Sequence, residues 1–72
     1  MIAADWRRSV AWRRAELERD LRRAIDRAAR TVLLGQPPHS RDVRRIRWIK
    51  GELAVLAMIA REAEQIDVED LW

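Results

Sequence analysis

Few side chains in this sequence have the chemistry of a catalyst. The 72-residue chain has a single His, no Cys and no Tyr. His39 follows Pro38 in a predicted loop, and no second His or Cys is present at metal-site or triad spacing. Carboxylate pairs such as Glu62 and Glu64 lie in a charged run, which is typical of a solvated surface. We therefore expect no enzyme activity, no catalytic residue, no cofactor, no metal site and no small-molecule substrate.

A basic cluster is better suited to binding a ligand. It consists of Arg41, Arg44, Arg45, Arg47 and Lys50. The basic cluster lies at a predicted helix start, where free backbone amides and the helix dipole also favour phosphate. It could bind nucleic acid, face an acidic protein surface, or simply be solvated. A helix-turn-helix is disfavoured, because that motif joins short helices at a steep angle through a short turn.

Large apolar side chains at helical spacing predict a contact surface on the same helix. This apolar row consists of Trp48, Val55, Ile59 and Ile66, spaced by seven, four and seven residues. At 3.6 residues per turn, the apolar row is rotated roughly 100° from the main seam of its helix. One neighbouring helix cannot cover both surfaces, so a third helix is expected, most simply from another copy of the chain.

Three further residues have two open interpretations each. Trp12 falls opposite the apolar stripe of its helix and is either an interface anchor or a surface indole on which Arg stacks. Trp72 either docks on a partner or packs back over Trp6. Gly51, inside a predicted helix, costs roughly 1 kcal/mol relative to Ala. It is either tolerated or lets a neighbouring backbone approach closely.

Two long helices must position these residues. Residues 5–34 contain no Gly or Pro and are rich in strong helix formers. Gly35, Pro37 and Pro38 predict a hinge over residues 35–39. Ser40 is then expected to cap a second helix over residues 41–66, with Asp42 placed favourably against its dipole. Residues 67–72 form an acidic tail where the helix is expected to fray.

Each predicted helix carries an apolar seam. The seam of the first helix comprises Trp6, Val10, Leu17, Leu21, Ala24, Ala28 and Val32. The seam of the second follows a heptad pattern through Ile46, Ile49, Leu53, Leu56, Ala60 and Ala63. Because the hinge is short, we predict a single all-α domain, an antiparallel two-helix hairpin. Its small core calls for completion by oligomerisation or a partner.

Charge divides unevenly along the chain. Residues 36–50 carry five cations and one acid, whereas residues 51–72 carry six acids and one Arg. The antiparallel hairpin would gather Arg27 and Arg30 with the basic cluster near the hinge. The acidic end, defined by Glu62, Glu64, Asp67, Glu69 and Asp70, is expected beside Arg7, Arg8, Arg13 and Arg14.

The sequence also indicates whether the protein associates with a membrane and which known proteins it resembles. No stretch reaches the roughly 20 apolar residues of a membrane span, and the N-terminus lacks a secretory signal pattern. A peripheral amphipathic membrane helix is disfavoured by the acids of the first helix, which anionic lipid would repel, so no membrane association is expected. The second helix contains the run Arg44-Arg45-Ile46-Arg47-Trp48-Ile49-Lys50-Gly51-Glu52-Leu53. This run, in a short Arg-rich hairpin, resembles small uncharacterised proteins encoded among the head and neck genes of tailed bacteriophages.

The resemblance implies a virion or assembly component present in many copies, located in the cytoplasm or the virion, with no catalytic residue. Taken with the residues, it favours a non-enzymatic structural or interaction protein that packs on itself or on a larger partner. The alternative is a small nucleic-acid-binding regulator that uses the basic cluster. The salt dependence of binding distinguishes these two functions, because phosphate binding weakens steeply with ionic strength and apolar assembly does not.

Overall fold

The chain forms an antiparallel hairpin of two long helices. The computed structural model describes the backbone of residues 2–70 and the side chains of residues 6–65. Helix α1 spans Ile2–Leu33 and helix α2 spans Ser40–Asp70, and the described residues contain no strand. The overall dimensions are 58 × 15 × 14 Å. The predicted all-α hairpin is confirmed. Both helices extend beyond the predicted bounds, α1 by three residues at its start and α2 by four residues at its end.

Gly35 ends α1 as predicted. Its φ is 82°, in the left-handed region that side chains disfavour. The Gly35 N–H donates to the carbonyl of Val32 at 2.9 Å, and the Gln36 N–H donates to the carbonyl of Thr31 at 3.2 Å. These two bonds form a Schellman motif, which satisfies carbonyls at the helix end before Pro37 turns the chain away.

The start of α2 differs from the prediction by one residue. The carbonyl of His39, rather than that of Ser40, accepts the first helical hydrogen bonds, from the N–H groups of Asp42 and Val43 at 3.0 and 3.1 Å. His39 therefore occupies the capping position, and Ser40 is the first helical residue. Asp42 lies in the first turn, where a carboxylate also favours the helix dipole.

The helices meet along the predicted seam. Leu17, Ala24 and Ile49 are fully enclosed. The half-buried seam positions are Trp6, Val10, Leu21, Ala28, Ile46, Leu53, Leu56, Ala60 and Ala63. A core this small leaves most of each helix surface exposed, as expected for a two-helix body.

Val32 was wrongly predicted in the seam, since 55% of its surface is exposed. The reason is the seven-residue repeat of α1, in which Thr31 rather than Val32 follows Leu17 and Ala24. Thr31 is half-buried, and its hydroxyl donates to the carbonyl of Arg27 at 3.1 Å. Val32 is left on the outside of the hairpin.

Candidate functional site

The apolar row lies on the surface of α2. Trp48, Val55 and Ile59 are 50%, 44% and 47% exposed, whereas Ile49 in the seam of the same helix is fully enclosed. The side chain of Ile66, the fourth predicted member, lies outside the described residues. The structure therefore presents at least three large apolar side chains, each about half exposed, along one side of α2.

Trp12 is also exposed, on α1. It lines a shallow, mostly apolar depression with Arg8, Ser9 and Arg13. No cation–π contact involves Trp12 among the described side chains. The Arg guanidinium groups that lie over an indole ring are those of Arg7, on Trp6, and Arg45, on Trp48. Arg8 and Arg13 thus lie beside the exposed indole, but among the described side chains none stacks on it. Trp72, the other predicted contact residue, lies outside the described residues.

Part of the basic cluster forms a cleft beside the hinge. This basic cleft has a volume of about 710 Å³ and is lined by Arg27, Arg41, Asp42, Arg44, Arg45 and Trp48. Three residues of the predicted cluster thus come together, and α1 adds Arg27. Arg47 and Lys50 are exposed but do not line the basic cleft. They lie elsewhere around α2, because each residue advances the helix by roughly 100°.

A half-buried ion pair lies among the residues that line the basic cleft. The Nε of Arg27 donates to Oδ1 of Asp42 at 3.3 Å, and the Asp42 side chain is only 2% exposed. Sequence reasoning expected Asp42 to serve the helix dipole and missed its burial. The sequence does contain an indication of this burial, because Asp42 lies seven residues before Ile49 and so continues the seam of α2.

Arg45 is likewise engaged within the hairpin. Its Nη2 lies 3.5 Å from Oδ2 of Asp20 on α1, and its guanidinium lies 5.7 Å from the ring centre of Trp48. Arg41 and Arg44, in contrast, are exposed and have no ion-pair partner among the described residues. The basic cleft therefore keeps two cations whose charge is not offset within the hairpin.

The acidic end shows the complementary situation. Glu62 and Glu64 are exposed and form no ion pair with any described residue. Arg13, expected to lie beside them, instead pairs with Glu16 one turn along α1. Asp67, Glu69 and Asp70 lie outside the described side chains. One end of α2 thus carries unpaired cations, and toward the other end the described acids are unpaired.

Apolar surface also occurs at places that the sequence reasoning did not single out. Met58 is exposed on α2, and Ile25 is exposed on α1 beside Leu21. Leu33 and Leu34 are 85% and 79% exposed at the hinge. These residues do not form a continuous line along one helix, as the apolar row does.

His39 is exposed in the hinge. Within residues 6–65, no group of three His, Cys, Asp or Glu side chains is placed to hold a metal ion. Neither helix, over its described length, combines the length and the apolar character that crossing a membrane requires.

No protein-family model, curated protein or solved structure matches the chain. The resemblance to phage head and neck proteins accordingly stays a prediction.

Proposed function

We propose that this chain is a non-enzymatic interaction protein that associates with copies of itself through the apolar row and serves as a unit of a larger assembly. The observation that carries the proposal is the half-exposure of Trp48, Val55 and Ile59 along one side of α2. The hairpin is only two helices thick, so about half of the surface of each of these side chains stays exposed. A multi-copy role also agrees with what the phage resemblance implies.

The free energy of burial supports this role. Complete burial of a large apolar side chain contributes roughly 1.5–3 kcal/mol, so the exposed half of each contributes about 1 kcal/mol. A symmetric contact between two copies uses each residue of the apolar row twice. This gain offsets part of the cost of association, which is why a row is needed rather than an isolated Trp.

A second copy suits the apolar row because α2 carries opposite charges near its two ends. Arg41 and Arg44 lie near the hinge and Glu62 lies toward the other end of the helix, all three without ion-pair partners among the described residues. The chain thereby supplies both the apolar surface and the complementary charges that a contact with another copy needs.

Sedimentation of the full chain over a range of micromolar concentrations tests the proposal. We expect association, and we expect Val55→Glu with Ile59→Glu to abolish it while helix content is kept. Ala54→Glu with Met58→Glu is the matched control, since it adds the same charges at the same spacing on a face of α2 rotated by about 100° from the apolar row. A folded monomer at every concentration, or equal loss from both double variants, would contradict the proposal.

The basic cleft favours nucleic-acid binding as the second candidate function. Arg27, Arg41, Arg44 and Arg45 surround it, and its one acid, Asp42, is buried against Arg27. Binding of a labelled single-stranded oligonucleotide should then fall steeply as salt rises, and Arg41→Glu should weaken it more than Arg47→Glu. Equal effects of the two substitutions would exclude the basic cleft as the site.

A further inference from the structure

We infer that two copies pair antiparallel along α2, so that the basic cleft of each copy faces Glu62 of the other. The inference rests on the proposed self-association and adds its orientation, its register and the occupant of the basic cleft. It also assigns a role to Arg44 and Glu62, which have no ion-pair partner among the described residues.

The spacing of opposite charges along α2 carries the orientation. Arg44 and Glu62 are eighteen residues apart, which is about five full turns, so both project from the same side of the helix. Arg41 and Ile59 are also eighteen residues apart. The side of α2 that bears the apolar row therefore has a cationic end and an anionic end.

Antiparallel pairing brings these unlike charges together. A twofold axis crossing α2 near Leu53 places Arg44 of each copy at the level of Glu62 in the other, because Leu53 lies midway between them. A parallel pair would instead place each Arg44 beside another Arg44 and each Glu62 beside another Glu62. Like charges facing each other disfavour that arrangement.

The same axis also aligns the apolar row with itself. Trp48 and Ile59 lie on opposite sides of Leu53, five and six residues away, so each Trp48 comes to the level of Ile59 in the other copy. Val55 comes to the level of Gly51, which has no heavy atom within 4 Å of the place where a Cβ would be. The open side of Gly51 gives that approaching side chain room.

Charge reversal tests the pairing. Arg44→Glu and Glu62→Arg should each weaken association of the full chain about fivefold to tenfold at low salt, and less as salt rises. The double variant Arg44→Glu with Glu62→Arg should restore it, because unlike charges again face each other. Arg47→Glu and Glu64→Arg form the matched control pair, exposed on other sides of α2, and should leave association unchanged.

Cross-linking tests the register independently of charge. The chain has no Cys, so a single introduced Cys reports on one position. Glu52→Cys should form a disulfide between copies, since the two sites differ in level by about 3 Å at 1.5 Å rise per residue. Ile59→Cys should not, since the two sites differ by about 18 Å, beyond the reach of a disulfide.

The outcomes separate this inference from the proposed function. Association that ignores both single charge reversals, or a disulfide formed by Ile59→Cys, overturns the antiparallel register while leaving self-association intact. A wild-type chain that stays monomeric overturns both. Loss of oligonucleotide binding by Arg44→Glu without any change in association would assign the basic cleft to nucleic acid and overturn the inference. Circular dichroism of each variant confirms that helix content is kept.

Discussion

Arg27 of α1 donates a hydrogen bond from Nε to Oδ1 of Asp42, 3.3 Å away in the first turn of α2. The carboxylate is enclosed, whereas half of the Arg27 side chain is exposed. The pair therefore places a buried charge at the junction of the helices, where its only described ion-pair partner is a single guanidinium. Removing that guanidinium would leave the carboxylate buried and uncompensated, which is the costly way to break an ion pair.

Replacement of Arg27 by Ala should lower the free energy of unfolding by about 1–3 kcal/mol, less than for a fully buried pair because water reaches part of Arg27. Arg30→Ala is the matched control, since Arg30 is exposed and unpaired among the described residues. Urea unfolding at one fixed protein concentration measures both. Equal losses from the two variants would show that the Asp42 pair contributes nothing specific.

Replacement of Ile49 by Ala should cost about 2–5 kcal/mol of folding free energy, as expected when a fully enclosed side chain leaves a cavity. The same change at Ile59, which is 47% exposed, should cost much less in folding and act mainly on association. Thermal unfolding with sedimentation of both variants separates these effects. An equally large folding loss at Ile59 would mean that the apolar row belongs to the core of the hairpin.

Replacement of Gly35 by Ala should destabilise the fold by about 1–2 kcal/mol, because a Cβ disfavours the left-handed backbone at this residue. The cost comes from backbone conformation alone, since no heavy atom lies within 4 Å of the added Cβ. Gly35→Asn should cost less, as Asn tolerates this conformation better than Ala does. Thermal unfolding of both variants checks the order.

Replacement of Gly51 by Ala should stabilise the fold, in contrast to the same change at Gly35. Gly51 lies inside α2 without a positive φ, and the space around it is open. Ala should therefore raise helix stability by roughly 1 kcal/mol. Circular dichroism during heating of a dilute sample measures this effect. A decrease in stability would show that Gly51 serves a close contact even in the hairpin alone.

The helices and the hinge could be predicted from the sequence because each follows from local chemistry. The backbone conformation near each position is determined by the residues close to it in sequence, here strong helix formers, Gly35 and the two Pro residues. The seam was predictable for the same reason, since a repeat such as Ile46, Ile49 and Leu53 fixes positions around one helix.

Contacts between the helices were harder to predict, because they depend on the axial register of α1 relative to α2. The pairing of Arg45 with Asp20 is set by the geometry of the hinge, which periodicity does not contain. The sequence predicted the basic cluster as a run of cations, but not which of its members lie together in the basic cleft. Helical rotation then separates it, with Arg41 and Arg44 in the basic cleft and Lys50 outside it.

The hinge also dictates an order of events in folding. Contacts beside it close short loops, since Arg27 and Asp42 are only fifteen residues apart in sequence. Seam residues far from the hinge, such as Val10 on α1 and Ala60 on α2, are fifty residues apart. Each doubling of loop length adds roughly 0.6 kcal/mol of closure cost, so contacts near the hinge should form first in the transition state. Substitutions at Asp42 should then mainly slow folding, and substitutions at Val10 should mainly speed unfolding.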